Sequence, residues 1–87
     1  MVRRLGRVLR ADGSPAPGAL VGVVEGDAPT PEIGIRADSG GWFHVALPEG
    51  RFVVEAYAGG VKGRAEVDGA SDHEIVLRLA EEGTEAP

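Results

Sequence analysis

Trp42, His44, Val53, Glu55 and Tyr57 are the residues of this 87-residue chain whose types and spacing offer a binding surface. They fall within Arg36 to Gly60, a stretch holding the only Trp, the only Tyr, both Phe and one of the two His. Two large amphipathic rings beside a carboxylate can anchor a protein partner or stack on a sugar ring. A purely structural use is also open: the rings can stabilise a strand pair, or be covered by the chain's own loop GDAPTPE.

Other constellations support less chemistry. Imidazole is the commonest metal ligand, and His44 and His73 have Asp38 and Asp72 near them in sequence, but no short ligand spacing joins the two. No metal site and no cofactor are expected. Ser14, Ser39 and Ser71 each sit in a Gly- or Pro-containing turn, where a hydroxyl serves turn geometry, so a Ser-His-acid set is not expected among them. With no Cys in the chain, thiol catalysis, disulfides and thiolate metal sites are excluded.

The elements that must position these residues are strands. Gly and Pro interrupt the chain at intervals too short for globular helices. The expected strands are RLGRVLR, ALVGVVE, IGIRA, WFHVAL, RFVVEAY, VKGRAEV and HEIVLRL. The two-residue strand period turns Ala19, Val21 and Val23 inward, with Leu20 and Val24 on a second face that is expected to be covered as well. It likewise turns Phe43, Val45, Leu47, Phe52, Val54, Ala56, Ile75, Leu77 and Leu79 inward. GDAPTPE, stiffened by Pro29 and Pro31, is expected to stand clear of the sheets.

The turn PEG between WFHVAL and RFVVEAY reads as a hairpin. Its register sets Val45 opposite Phe52 and Phe43 opposite Val54, so inward residues pair with inward ones. On the outer face it pairs Trp42 with Glu55 and His44 with Val53, and leaves Tyr57 diagonal to Trp42. The candidate site is therefore one cluster on one face.

The chain has room for a single domain, residues 1–79, followed by an acidic tail over 80–87 that is expected to be disordered. The net charge of −5 opposes nucleic-acid binding, which depends on a basic surface. Charge is placed unevenly: Met1 to Arg10 carries four Arg and no acid, whereas Asp68 to Pro87 carries six acids and one Arg. This reads as a solvated first strand and an acidic tail, or as two ends of opposite sign that attract. No apolar run approaches the length of a membrane helix, and the basic start lacks the apolar stretch of a secretion signal. The expected location is cytoplasmic for the chain as written, and extracytoplasmic if it is a fragment. Charged sheet edges and weak exposed ion pairs favour a monomer.

The same residues carry a family pattern. Gly6 and Val8 lie in a first strand. Asp12, Gly13 and Pro15 form a turn, and Ala19 and Val21 lie in the next strand. Asp38 and Gly41 precede Phe43, and Leu47, Pro48 and Gly50 precede Phe52. From Leu5 to Leu79 this resembles the carboxypeptidase regulatory-like domains. The resemblance implies an all-β fold, a seven-stranded antiparallel or mixed Greek-key β-sandwich of prealbumin-like (transthyretin-like) or immunoglobulin-like kind. It also implies a non-catalytic accessory module that contacts another protein; the alternative is a carbohydrate-binding sandwich using Trp42 and Tyr57. Enzymes of similar fold need residues absent here. The C-terminus EEGTEAP lacks the Tyr-Arg-Gly-Ser ending of the transthyretin-like hydrolases, and one Tyr cannot supply the two that intradiol dioxygenases place on iron.

Overall fold

A computed structural model describes residues 2–26, 34–71 and 73–80. The described residues form seven strands and no helix, and therefore no helix long and apolar enough to cross a membrane. The strands are β1 (Val2–Leu9), β2 (Leu20–Gly26), β3 (Ile35–Arg36), β4 (Trp42–Leu47), β5 (Arg51–Ala58), β6 (Val61–Asp68) and β7 (Ile75–Arg78). They make two sheets, β4-β1-β7 and β3-β2-β5-β6. The smaller sheet is mixed, with β1 antiparallel to β4 and parallel to β7, and the larger sheet is antiparallel.

The inward residues read from the strand period meet in one core between the sheets. Phe43, Val45, Leu47 and Leu77 come from the smaller sheet, and Val21, Phe52, Val54 and Ala56 from the larger; all are buried, as are Ile75 and Leu79. Burying this apolar surface from both sides is what lets a short chain without disulfides hold two sheets together.

The hairpin is the main correction. β4 pairs with β1, setting Phe43 opposite Gly6 and Val45 opposite Arg4. β5 has both its edges filled, by β2 and β6. Pro48 to Gly50 is thus a crossing from one sheet to the other, and the expected pairs Val45 with Phe52 and Phe43 with Val54 do not form. Alternation cannot separate these cases, because consecutive strands keep the same inward parity whether they pair in one sheet or face each other across the core. The crossing is held at Gly50, whose carbonyl accepts the Gly69 N–H at 2.8 Å. A Cβ on Gly69 would lie 1.8 Å from the Pro48 carbonyl oxygen, so the β6–β7 turn and the crossing touch through bare backbone.

Two glycines explain the pairing. Gly6 faces Phe43 on β1 and Gly26 faces Phe52 on β2, and a Cβ on either would fall 2.2 Å from a ring carbon of its partner. Each ring fills the space of a missing side chain, a cross-strand arrangement that compensates glycine's poor strand propensity.

The second face of β2 also differs from expectation. Leu20 and Val24 are exposed at 43% and 47% rather than covered. The pairing with β5 shifts between Val23 and Glu25, leaving Val24 as the extra residue of a bulge, while Leu20 lies ahead of the shift in regular pairing with Arg36 and Tyr57. The loop GDAPTPE lies outside the described residues except for Gly26, which ends β2. Of the acidic tail, Ala80 donates its N–H to the Lys62 carbonyl at 3.0 Å, and residues 81–87 lie outside the described residues.

Candidate functional site

The crossing divides the five candidate residues between two sheets. Trp42 and His44 alternate with buried Phe43 and Val45 on β4, and so face outward from the three-stranded sheet. Val53, Glu55 and Tyr57 alternate with buried Phe52, Val54 and Ala56 on β5, and face outward from the four-stranded sheet. The single cluster expected from the hairpin register is replaced by two separate faces with the core between them.

On the three-stranded sheet, Asp38 sets the start of β4. Its Oδ1 accepts the N–H of Gly40 at 2.8 Å and of Trp42 at 2.9 Å, and Gly41 completes the turn at φ 81°. Such an Asx turn delivers the chain to β4 with Trp42 as its first residue. The neighbouring β1 places Arg7 opposite Trp42, with the guanidinium carbon 4.5 Å from the ring centroid. The Nε of Arg7 donates to the Gly40 carbonyl at 3.1 Å, which fixes the guanidinium over the ring. His44 is exposed opposite Leu5, and Arg7 also faces Val76 on β7.

On the four-stranded sheet, Glu55 is buried although it faces outward, at 6% exposure. It accepts a hydrogen bond from the Tyr57 hydroxyl. The Lys62 ammonium stands 6.0 Å from the Tyr57 ring centroid. Donation to Glu55 is the first cause that holds the Tyr57 phenol above its ordinary pKa of 10.0; desolvation and the Glu55 charge add to it, and Arg64 opposes it. Because the folded chain favours the neutral phenol, this contribution to stability is complete below about pH 10 and is lost as pH rises through the higher folded value. As Tyr57 is the only Tyr, an alkaline titration of tyrosinate absorbance isolates it. The expected midpoint lies above 10, and Glu55→Gln lowers it; an unchanged midpoint in the variant would contradict the pairing.

The remaining candidate chemistry is local. Ser14 donates both its hydroxyl (2.6 Å) and its N–H (3.0 Å) to Asp12, which holds the Asp12 carboxyl below its ordinary range. Ser71 and His73 share a hydrogen bond of 3.1 Å within one exposed turn. Among the described residues no three His, Cys, Asp or Glu side chains gather in a metal-binding group. A cavity of about 320 Å³ opens at one end of the sandwich, with Ala58, Val61 and Leu79 among its lining and Arg10 and Asp12 beside them. Asp12 is already committed to Ser14, and Arg10 to the Pro15 carbonyl at 3.2 Å.

Arg7, which the sequence placed only among the cations of the first strand, is the residue of β1 that contacts the candidate site. Arg4, expected on a solvated strand, is 4% exposed; its guanidinium donates to the backbone carbonyls of His73 and Asp68 (2.8 Å to the latter). The signal was present in the first strand: the strand period puts Arg4 with Gly6 and Val8 on the inward side, and Arg3, Leu5 and Arg7 on the outward side.

The fold and its two outward faces define a small two-sheet β module. No family model and no curated protein sequence matches the chain.

Proposed function

We infer that the protein is a non-catalytic protein-interaction or structural accessory module of the carboxypeptidase regulatory-like type, with a prealbumin-like Greek-key sandwich. The observation that carries this reading is what the family-pattern residues do. Asp12 and Asp38 close turns, Gly6 receives the Phe43 ring, Gly41 takes a positive φ, and Ala19, Val21, Leu47 and Phe52 are core. Every one of these roles shapes the fold, and none requires a reacting substrate.

The carbohydrate alternative loses its main support. A sugar platform built from Trp42 and Tyr57 needs both rings on one surface, and they stand on different sheets. Arg7 already lies over one side of the Trp42 ring.

Reconstitution tests the interaction reading: a protein isolated from the native host with the full chain as bait is purified and recombined with it. The expected result is a defined complex between the two purified proteins. Turnover of a substrate by the isolated chain at enzyme-like rates would overturn the reading.

A further inference from the structure

We propose that the outward face of the three-stranded sheet, β4-β1-β7, is the docking surface and that its occupant is an acidic segment of a partner protein. This deepens the interaction reading and rests on it. The face is defined by strand register: Arg7 stands between Trp42 and Val76, Leu5 lies beside His44, and Leu9 beside Arg78. Leu5 on the central strand β1 is 39% exposed and Val76 on the edge strand β7 is 48% exposed, so this face opens apolar side chains to solvent.

Charge selects the occupant. The outward positions within these strands carry Arg3, Arg7 and Arg78, against one carboxylate in the same phase, the exposed Glu74 just before β7, on a chain whose net charge is −5. No carboxylate pairs with these three arginines among the described residues. The opposite sheet is balanced. There Arg64 pairs with Glu25 at 3.3 Å and Arg51 with Glu66 at 3.7 Å, and Glu55 and Asp68 offset Lys62 and Arg36. On that sheet Arg51 and Arg64 pair with carboxylates, whereas Arg7 and Arg78 each donate one hydrogen bond to a backbone carbonyl, of Gly40 and Ala11, which leaves the positive charge of this face without a carboxylate partner among the described residues.

Cations beside exposed apolar side chains match a peptide that carries carboxylates next to aromatic or aliphatic side chains. The arginines can make bidentate contacts to carboxylates, and Leu5, Val76 and the Trp42 edge can take the apolar groups. A nucleic acid or an anionic membrane would meet the same arginines, but their extended negative potential would also act on the chain's net negative charge. A short acidic segment meets only the local face.

The test uses the full chain and a random Glu–Tyr copolymer, with a Lys–Tyr copolymer as control, followed by nitrogen-15 NMR. Trp42 is the only Trp, so its indole N–H is a single reporter. The Glu–Tyr polymer is expected to shift that signal and the amides of Arg3, Leu5, His44 and Val76, with affinity falling as salt rises. Arg3→Glu combined with Arg78→Glu is expected to weaken binding about tenfold, chiefly through slower association. Both residues are exposed, and a thermal melt checks that the variant folds; Arg3→Gln with Arg78→Gln serves if it does not.

Shifts centred on Tyr57 and Lys62, or equal affinity in the double variant, would overturn the proposal. Tighter binding to heparin or to phosphatidylserine vesicles would overturn it in favour of another class of partner. So would a dimer that the double variant abolishes, which would make the occupant a second copy. The broader reading is judged separately: if a purified host partner binds wild type and double variant alike, the interaction reading stands and this face falls. If no host protein forms a defined complex with either, the interaction reading itself fails.

Discussion

Replacing Gly6 by alanine is expected to lower stability by about 3 kcal/mol, the upper part of the usual range for adding a methyl to a filled core. Gly6 is buried, and the new Cβ would lie 2.2 Å from the tip of the Phe43 ring. The ring cannot swing away, because Phe43 is only 3% exposed and packed within the core cluster. The strain should be relieved in part by shortening the ring, so Gly6→Ala with Phe43→Leu is expected to be less destabilised than the sum of the single changes, by about 1 to 2 kcal/mol. Gly6→Ala with Phe52→Leu is expected to be closer to additive, because Phe52 faces Gly26 on the other sheet. Urea unfolding of the single and double variants measures the cycle. Additivity between Gly6 and Phe43 would mean that β4 does not lie beside β1.

Arg4→Met is expected to cost about 3 kcal/mol, from loss of hydrogen bonds to two part-buried carbonyl groups at roughly 1 to 3 kcal/mol for each group left unsatisfied. Methionine replaces the apolar stem but cannot donate to either carbonyl. Arg4→Lys is expected to recover only part of the loss, since one ammonium lacks the planar fork that reaches both the His73 and Asp68 carbonyls. The effect should be largest where β7 begins, so amide exchange near Ile75 should quicken more than exchange near Val21. A neutral Arg4→Met would place this guanidinium in water, as the charge pattern of the first ten residues alone implies.

These two residues also show where the sequence was readable. Strand positions were legible because turn residues such as Gly13, Asp38, Gly50 and Gly59 bracket short runs, and most inward residues followed from the two-residue period. Which strands pair was not legible from the same pattern. Phe43, Val45, Phe52 and Val54 have the same parity in a hairpin and across a sandwich, so the PEG turn supported both, and the pairing of Trp42 with Glu55 fell with the hairpin. The information that separates the two lies in long-range complementarity between Gly6 and Phe43 and between Gly26 and Phe52, residue pairs 37 and 26 positions apart. Of the candidate site, Trp42 and His44 were placed outward on the correct strand, but Arg7, their neighbour from β1, becomes visible only once the pairing is known. Leu20 and Val24 share an exposed outward face, and whether another element covers such a face is not written in the pattern of one strand. Arg4 was misread because its charge outweighed its parity.

β4 and β5 belong to different sheets, which puts Trp42 on an arginine-bearing face and Tyr57 on the opposite one. Interstrand nuclear Overhauser contacts between backbone protons test it most directly, since they report neighbouring strands irrespective of side-chain behaviour. Contacts linking Arg4 with Val45 and Gly6 with Phe43, together with contacts linking Val21 with Ala56, are the predicted result. Backbone contacts linking Val45 with Phe52 and Phe43 with Val54 would contradict it and return all five aromatic-site residues to a single face.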